Sequence, residues 1–316
     1  MEFRTQIQIS NSKNPIDYNA KIVSLGSCFA ENMANKLDYF KFENSCNPFG
    51  IIFNPVSIEK MIYRIVNQFF YTEKNIFFHN HRWHCYEVHS DLSNSNAAEF
   101  LENLNTVLKT SLQQLLQASH VIITYGTSWV YRNIKSNAIV ANCHKVPQKE
   151  FSKEILSVET IENSIRNTID FIQKINPNCH FIFTVSPVRH LKDGFVENQW
   201  SKAHLITAIH KVMRVPPSGA EGAYFPSYEI MMDELREYRF YAEDMIHPSP
   251  IAIQYIWQRF AETTISDESQ AVMKEVETIQ KGLAHKPFNP NSESHQQFLS
   301  KLQDKIAKIE NKTKSI

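Results

Sequence analysis

Three short apolar runs, each closed by a small or turn-forming residue, constrain this chain more than any other feature. Residues 20–26 run into Gly26, residues 121–125 into Gly126, and residues 180–185 into Ser186-Pro187. Amphipathic stretches at helical spacing lie between them. The clearest is 97–117, where Leu101, Leu104, Leu108, Leu112 and Leu115 recur three or four apart. Short buried strands alternating with helices imply an α/β fold with a mainly parallel, doubly wound sheet. Ligands of such folds bind at the carboxyl ends of the strands, where all three turns fall.

Further helices are expected over 29–38, 57–70, 161–175, 198–213, 229–237 and 249–263. Residues 76–92 read as a strand or hairpin, and 224–228 as a short extended segment. Residues 44–55 read as a polar, proline-marked loop. Residues 266–316 differ in composition: two polar amphipathic helices flank Pro287-Phe288-Asn289-Pro290-Asn291. The expected organisation is an α/β domain over 1–265 and a helical appendage over 266–316. That appendage either packs back on the domain or serves homo-oligomer association. Residues 312–316 are expected to fray.

With 316 residues, 42% of them hydrophobic, the chain can bury a sizeable core. Lys+Arg and Asp+Glu are 33 each, which argues against a strongly electrostatic nucleic-acid binder. No apolar run approaches membrane-spanning length, and the first residues lack the apolar core of a signal peptide. The expectation is a cytoplasmic protein that does not act on nucleic acid or membrane. Five cysteines with no CxxC fit free thiols in a reducing compartment.

Two motifs more than two hundred residues apart bear the chemistry. Leu25-Gly26-Ser27-Cys28-Phe29-Ala30 turns a strand into a helix and presents a hydroxyl or a thiol. Backbone N–H groups at the helix start can hold an oxyanion, and their dipole can depress a thiol pKa. The bland reading makes Ser27 a helix cap and buries Cys28. Asp244-Met245-Ile246-His247-Pro248 supplies an acid and an imidazole three apart, so the carboxylate can hold one ring nitrogen while the other faces a nucleophile.

Only seven glycines occur. Gly50 can offer a bare backbone N–H to an oxyanion. Gly126-Thr127-Ser128 can offer a hydroxyl. Ordinary loop chemistry is the competing reading for each. Arg189 and His190 can face an anionic or sugar substrate, or Arg189 can pair with an acid of Asp233-Glu234. The segment His79-Asn80-His81-Arg82-Trp83-His84-Cys85, with His89 beyond it, is a weaker candidate for metal than for packing or substrate contact. No cofactor or metal is expected.

Together these motifs resemble a known family. Gly26-Ser27-Cys28-Phe29-Ala30 matches the signature of the GSCFA family, whose members resemble the SGNH (GDSL-like) hydrolases. Ser186-Pro187-Val188-Arg189-His190, Tyr224-Phe225-Pro226-Ser227-Tyr228-Glu229 and the stretch 239–248 are similar too. The resemblance covers about 20–265. It implies a three-layer α/β/α, flavodoxin-like fold and acyl-ester chemistry, with an acetylated carbohydrate as a superfamily-level substrate. It places Cys28 at the superfamily's nucleophilic serine, Ser27 at the preceding aspartate, and Gly50 at the second-block glycine. Gly126-Thr127-Ser128 falls where the superfamily has Gly-x-Asn, so a hydroxyl replaces an amide. Asp244 and His247 match the last block.

The expected function is therefore an acyl-ester hydrolase or acyltransferase acting on a small-molecule or glycan ester. Cys28 is the expected nucleophile and Ser27 the alternative, with Asp244 and His247 completing the triad. Gly50, Gly126 and Ser128 are the oxyanion candidates, and Arg189, His190 and His89 the substrate-contact candidates. The alternative is a non-catalytic module, binding a glycan or acyl ligand on a degenerate hydrolase fold.

Overall fold

The computed structural model describes residues 5–217 and 222–310. The expected fraying of 312–316 lies outside them. Among the described residues, the main sheet holds five parallel strands. They are β1 (Lys21–Gly26), β2 (Glu43–Cys46), β5 (His120–Tyr125), β9 (His180–Val185) and β10 (Gly222–Phe225), in the order β10-β9-β5-β1-β2. The chain leaves β1 toward one edge and returns to build the other. The topological switch point, where ligands of such folds bind, therefore lies between the carboxyl ends of β1 and β5.

The period-two pattern of the strands sorts the side chains into two cores. Val23, Leu25, Val121, Ile123, Phe181 and Phe183 face one apolar cluster. It is closed by α2 (Pro55–Val66), α3 (Ala97–Gln117), α4 (Val158–Ile175) and α5 (Phe195–Arg214). Ile22, Ile122 and Ile182 face the other. Here α1 (Cys28–Tyr39), α7 (Pro250–Thr264), α8 (Asp267–Leu283) and α9 (Glu293–Glu310) contribute Phe29, Leu37, Trp257, Phe260, Val276, Ile279 and Ile309. The result is an α/β/α sandwich with C-terminal helices. None of the described helices is long and apolar enough to cross a membrane.

The structure departs from the sequence reading in three places. The expected loop 44–55 begins inside β2, which pairs with β1 from Lys21↔Glu43 to Ser24↔Cys46. The expected helix 229–237 is instead a short turn, α6 (Ser227–Glu229), running into a π-helical turn at Ile230–Glu234. Between β5 and α4, a second sheet forms from β6 (Trp129–Asn133), β7 (Ala138–Val140) and β8 (Phe151–Ile155), paired antiparallel. The hairpin expected within 76–92 is β3 (Phe77–His79) against β4 (Arg82–His84).

Candidate active site at the carboxyl edge of the sheet

The β1–α1 junction is fixed by backbone geometry. Gly26 has φ of 132°, and a Cβ there would sit 2.1 Å from the Thr124 carbonyl oxygen. Only glycine fits so close to β5. Its N–H donates to Asn47 Oδ1 at 2.8 Å, and Ser27 N–H donates to Thr124 O at 3.1 Å. Ser27 is 2% exposed, and its hydroxyl accepts from Phe29 N–H as the cap of α1. The capping reading of Ser27 therefore describes its position. Cys28 follows as the first helical residue and is half-buried.

The helix start was expected to depress the thiol pKa. The Cys28 thiol instead lies above the ordinary range. Burial and the Glu31 carboxylate push it up; Lys202 and the N–H groups of Phe29 and Cys28 pull it down and are outweighed. Glu31 stands in the first turn of α1, where a carboxylate suits the dipole but opposes a thiolate.

The acid–base motif forms a tight loop. Asp244 Oδ2 lies 2.6 Å from His247 Nδ1, while Oδ1 accepts the N–H groups of Ile246 at 2.9 Å and His247 at 3.0 Å. These contacts hold the Asp244 carboxyl down at about 2, the His247 N–H first among them. With Nδ1–H donating to Asp244, Nε2 keeps its lone pair for a proton. Both side chains are about half exposed, at 48% and 46%. The loop is tied back where Arg189 N–H donates to Ile246 O at 3.3 Å.

No hydrogen bond joins the Cys28 thiol to His247 among the described residues. The charges link in a relay instead. Lys202 is felt at Cys28, and His190 feels both Lys202 and His247. Lys202 is 0% exposed on α5, and its ammonium donates to Gly126 O at 2.6 Å and Ser186 O at 2.7 Å. It thereby clips the carboxyl ends of β5 and β9. Burial brings it down to about 7. The sequence places Lys202 on a helix beside Ser201 and His204 without assigning it a role, although it shares one helical stripe with Leu205, Ile209 and Val212.

His190 lies over Gly126, its Nε2 3.3 Å from where a Cβ would be, with the Phe53 ring at 5.5 Å. That nitrogen is buried without a hydrogen-bond partner, and burial takes the imidazole down to about 3. Arg189 makes no ion pair with Asp233 or Glu234. Its guanidinium lies 5.5 Å from the Tyr241 ring centre, beside a cavity of about 130 Å³. Arg236 and Arg259 meet those two acids instead.

The remaining oxyanion candidates are engaged elsewhere. Gly50 N–H donates to Asn47 O at 2.7 Å, closing its own turn against the side chain of His89. Ser128 is fully buried, with its N–H on Ser201 Oγ at 2.7 Å and its hydroxyl on Ser201 O at 3.2 Å. Gly126 N–H donates to Phe53 O at 2.8 Å. His89 faces Asp91 at 3.0 Å. In the histidine-rich hairpin, both ring nitrogens of His84 and of the distant His144 meet protein oxygens. No group of three or more His, Cys, Asp or Glu among the described residues is placed to hold a metal ion.

The model of the GSCFA family matches residues 21–260, and that of the GSCFA domain protein, C-terminal domain, matches 276–316. No curated protein matches the chain.

Proposed function

Since the chain belongs to the GSCFA family, we propose that it cleaves or transfers an acyl ester through Cys28, His247 and Asp244. The observation that carries this reading is the 2.6 Å Asp244–His247 pair, buttressed by two backbone N–H groups and tied to the same sheet edge that presents Cys28. An exposed acid and imidazole need no such bracing to be soluble, whereas a general base needs a fixed tautomer.

In this mechanism His247 Nε2 takes the proton from Cys28 Sγ as the sulfur adds to the ester carbonyl. A thiol held above its ordinary pKa needs such a base. The oxyanion is met by the Cys28 N–H at the start of α1, because the N–H groups of Ser27, Phe29, Ala30, Gly50 and Gly126 and the hydroxyl of Ser128 are committed. Collapse of the adduct expels the alcohol, which takes its proton from His247 and leaves a thioester on Cys28. Water, or an acceptor alcohol, then attacks with His247 again as base and releases the thiol. A small acyl ester, such as an acetylated sugar, is the substrate class that the SGNH resemblance supports.

A second reading is a binding module on this fold. It is favoured by the raised thiol and by the absence of a Cys28–His247 hydrogen bond. The deciding experiment is turnover of p-nitrophenyl acetate with intact-mass detection of an acyl adduct, on wild type, Cys28→Ala and His247→Ala. An acetyl adduct on Cys28 that needs His247 supports the enzyme. No adduct and equal background rates in all three would leave the binding module.

A further inference from the structure

Lys202 stands out because a fully buried ammonium is costly unless an anion accompanies it. Among the described residues no carboxylate pairs with it. Its partners are the carbonyl oxygens of Gly126 and Ser186, and the Tyr228 ring at 5.5 Å. Two carbonyls satisfy the two N–H bonds of a neutral amine, leaving the third proton of the ammonium without an acceptor. A neighbouring anion would let the amine keep that third proton.

The sheet register says where. Gly26 pairs with Thr124 across β1 and β5, and Tyr125 with Val185 across β5 and β9. Cys28, Gly126 and Ser186 therefore leave three adjacent strands just past their carboxyl ends. Lys202 bridges the last two, and Cys28 sits at the first. We propose that Lys202 is a positioning residue that sets the ionisation of Cys28, the buried ammonium and the thiolate forming a charge pair between neighbouring strand ends. This inference rests on the assignment of Cys28 as the reactive group. Lys202, fully buried, touches no substrate and acts through the sulfur.

The surrounding charges fit this division. From α1, Glu31 opposes the thiolate; from α5, Lys202 favours it. From the loop after β9, buried His190 stays neutral and is pushed further down by Lys202 and His247. From the Asp244–His247 loop, the imidazole takes the proton. Loss of the thiol proton strengthens the hold of Lys202 on its own, since the thiolate raises the lysine in return.

The test reads ionisation directly, without any ester. The pH dependence of Cys28 alkylation by iodoacetamide is followed by peptide mass spectrometry in wild type and Lys202→Met. The expected result is a midpoint displaced upward by about one pH unit in the variant, with roughly tenfold slower labelling below both midpoints. An unchanged midpoint in a folded Lys202→Met protein overturns the proposal.

A second arm stands if that variant does not fold. The Lys202 side chain, observed by carbon-13 NMR, should titrate at lower pH in Cys28→Ser than in wild type, because coupling is reciprocal. Identical titration overturns the proposal. Failure of the ester assay leaves both arms standing, so the hydrolase reading and this coupling can fall separately.

Discussion

The two halves of the candidate site are built in opposite ways. The Cys28 turn is part of the core: Gly26 lies against β5, Ser27 is buried as a cap, and Asn47 reaches across to bind the turn. The Asp244–His247 loop is half exposed and held by its own short-range hydrogen bonds, with Met245 at φ of 58°. The proposed nucleophile is thus placed by the fold, and the proposed base by a local turn. Damage to the first half should register as lost stability, and damage to the second as lost chemistry alone.

The sharpest way to break this contrast is Gly26→Ala. The new Cβ would meet a backbone oxygen at 2.1 Å in a conformation that L-residues avoid. We expect a loss of about 3 kcal/mol or more, seen as a lower urea midpoint with an unchanged slope. A loss under about 1 kcal/mol would show that β1 and β5 can part without cost, and that the turn is not core-built.

Acid should also discriminate. Burial holds His144 at about 4 and His190 at about 3. Their native pKa values lie below the unfolded value near 6.5, so the native state resists a proton that the unfolded chain accepts. The stability these residues contribute is complete above about pH 6.5 and drains as pH falls toward 4 and then 3. Thermal midpoints should decline through that window, by the equivalent of a few kcal/mol in total. His144→Gln should flatten part of the decline; an equal slope in that variant would refute the assignment. The Asp244 carboxylate keeps its contribution above about 3.8 and loses it only as pH falls through about 2.

Much of this architecture is legible in the residues, and the exceptions have physical causes. β1, β5 and β9 announce themselves because both faces are buried, which demands continuous apolar runs. β2, with the sequence Glu-Asn-Ser-Cys, is an edge strand with no fully buried residue. Its polar side chains look like loop chemistry in the sequence, and only the fold brings Asn44 Oδ1 to accept from Ser24 Oγ on β1. β6 to β8 are short and partly exposed, without strict alternation. In the site, Cys28 and the Asp–His spacing are visible because their order along the chain is local. That Gly50 and Ser128 spend their donors on Asn47 and Ser201 is tertiary, and no spacing reveals it. Lys202 hid because lysine on a helix ordinarily marks a solvent face; its register with Leu205, Ile209 and Val212 was the available signal.

Ser27→Ala probes the first half more gently. It removes the cap oxygen that accepts from Phe29 N–H while leaving the backbone bond to Thr124 in place. The expected cost is about 1 kcal/mol by urea denaturation. Ester turnover, once measured, should survive within about tenfold, because the thiol remains. A complete loss of turnover with stability intact would instead make Ser27 the reacting group.

The smallest effect on stability and the cleanest separation should come from Asp244→Asn. The side chain is half exposed, so its replacement should leave stability nearly unchanged. The amide retains an oxygen for the N–H groups of Ile246 and His247, but its other end can present N–H toward His247 Nδ1. The proton then moves to Nε2, the face that must accept one. Turnover should fall by about a hundredfold or more at an unchanged melting temperature. If the melting temperature falls clearly alongside, the loop is a structural clasp and the contrast between the two halves fails. If neither changes, Asp244 does not orient His247 for chemistry, and the imidazole faces solvent with no task at the sheet edge.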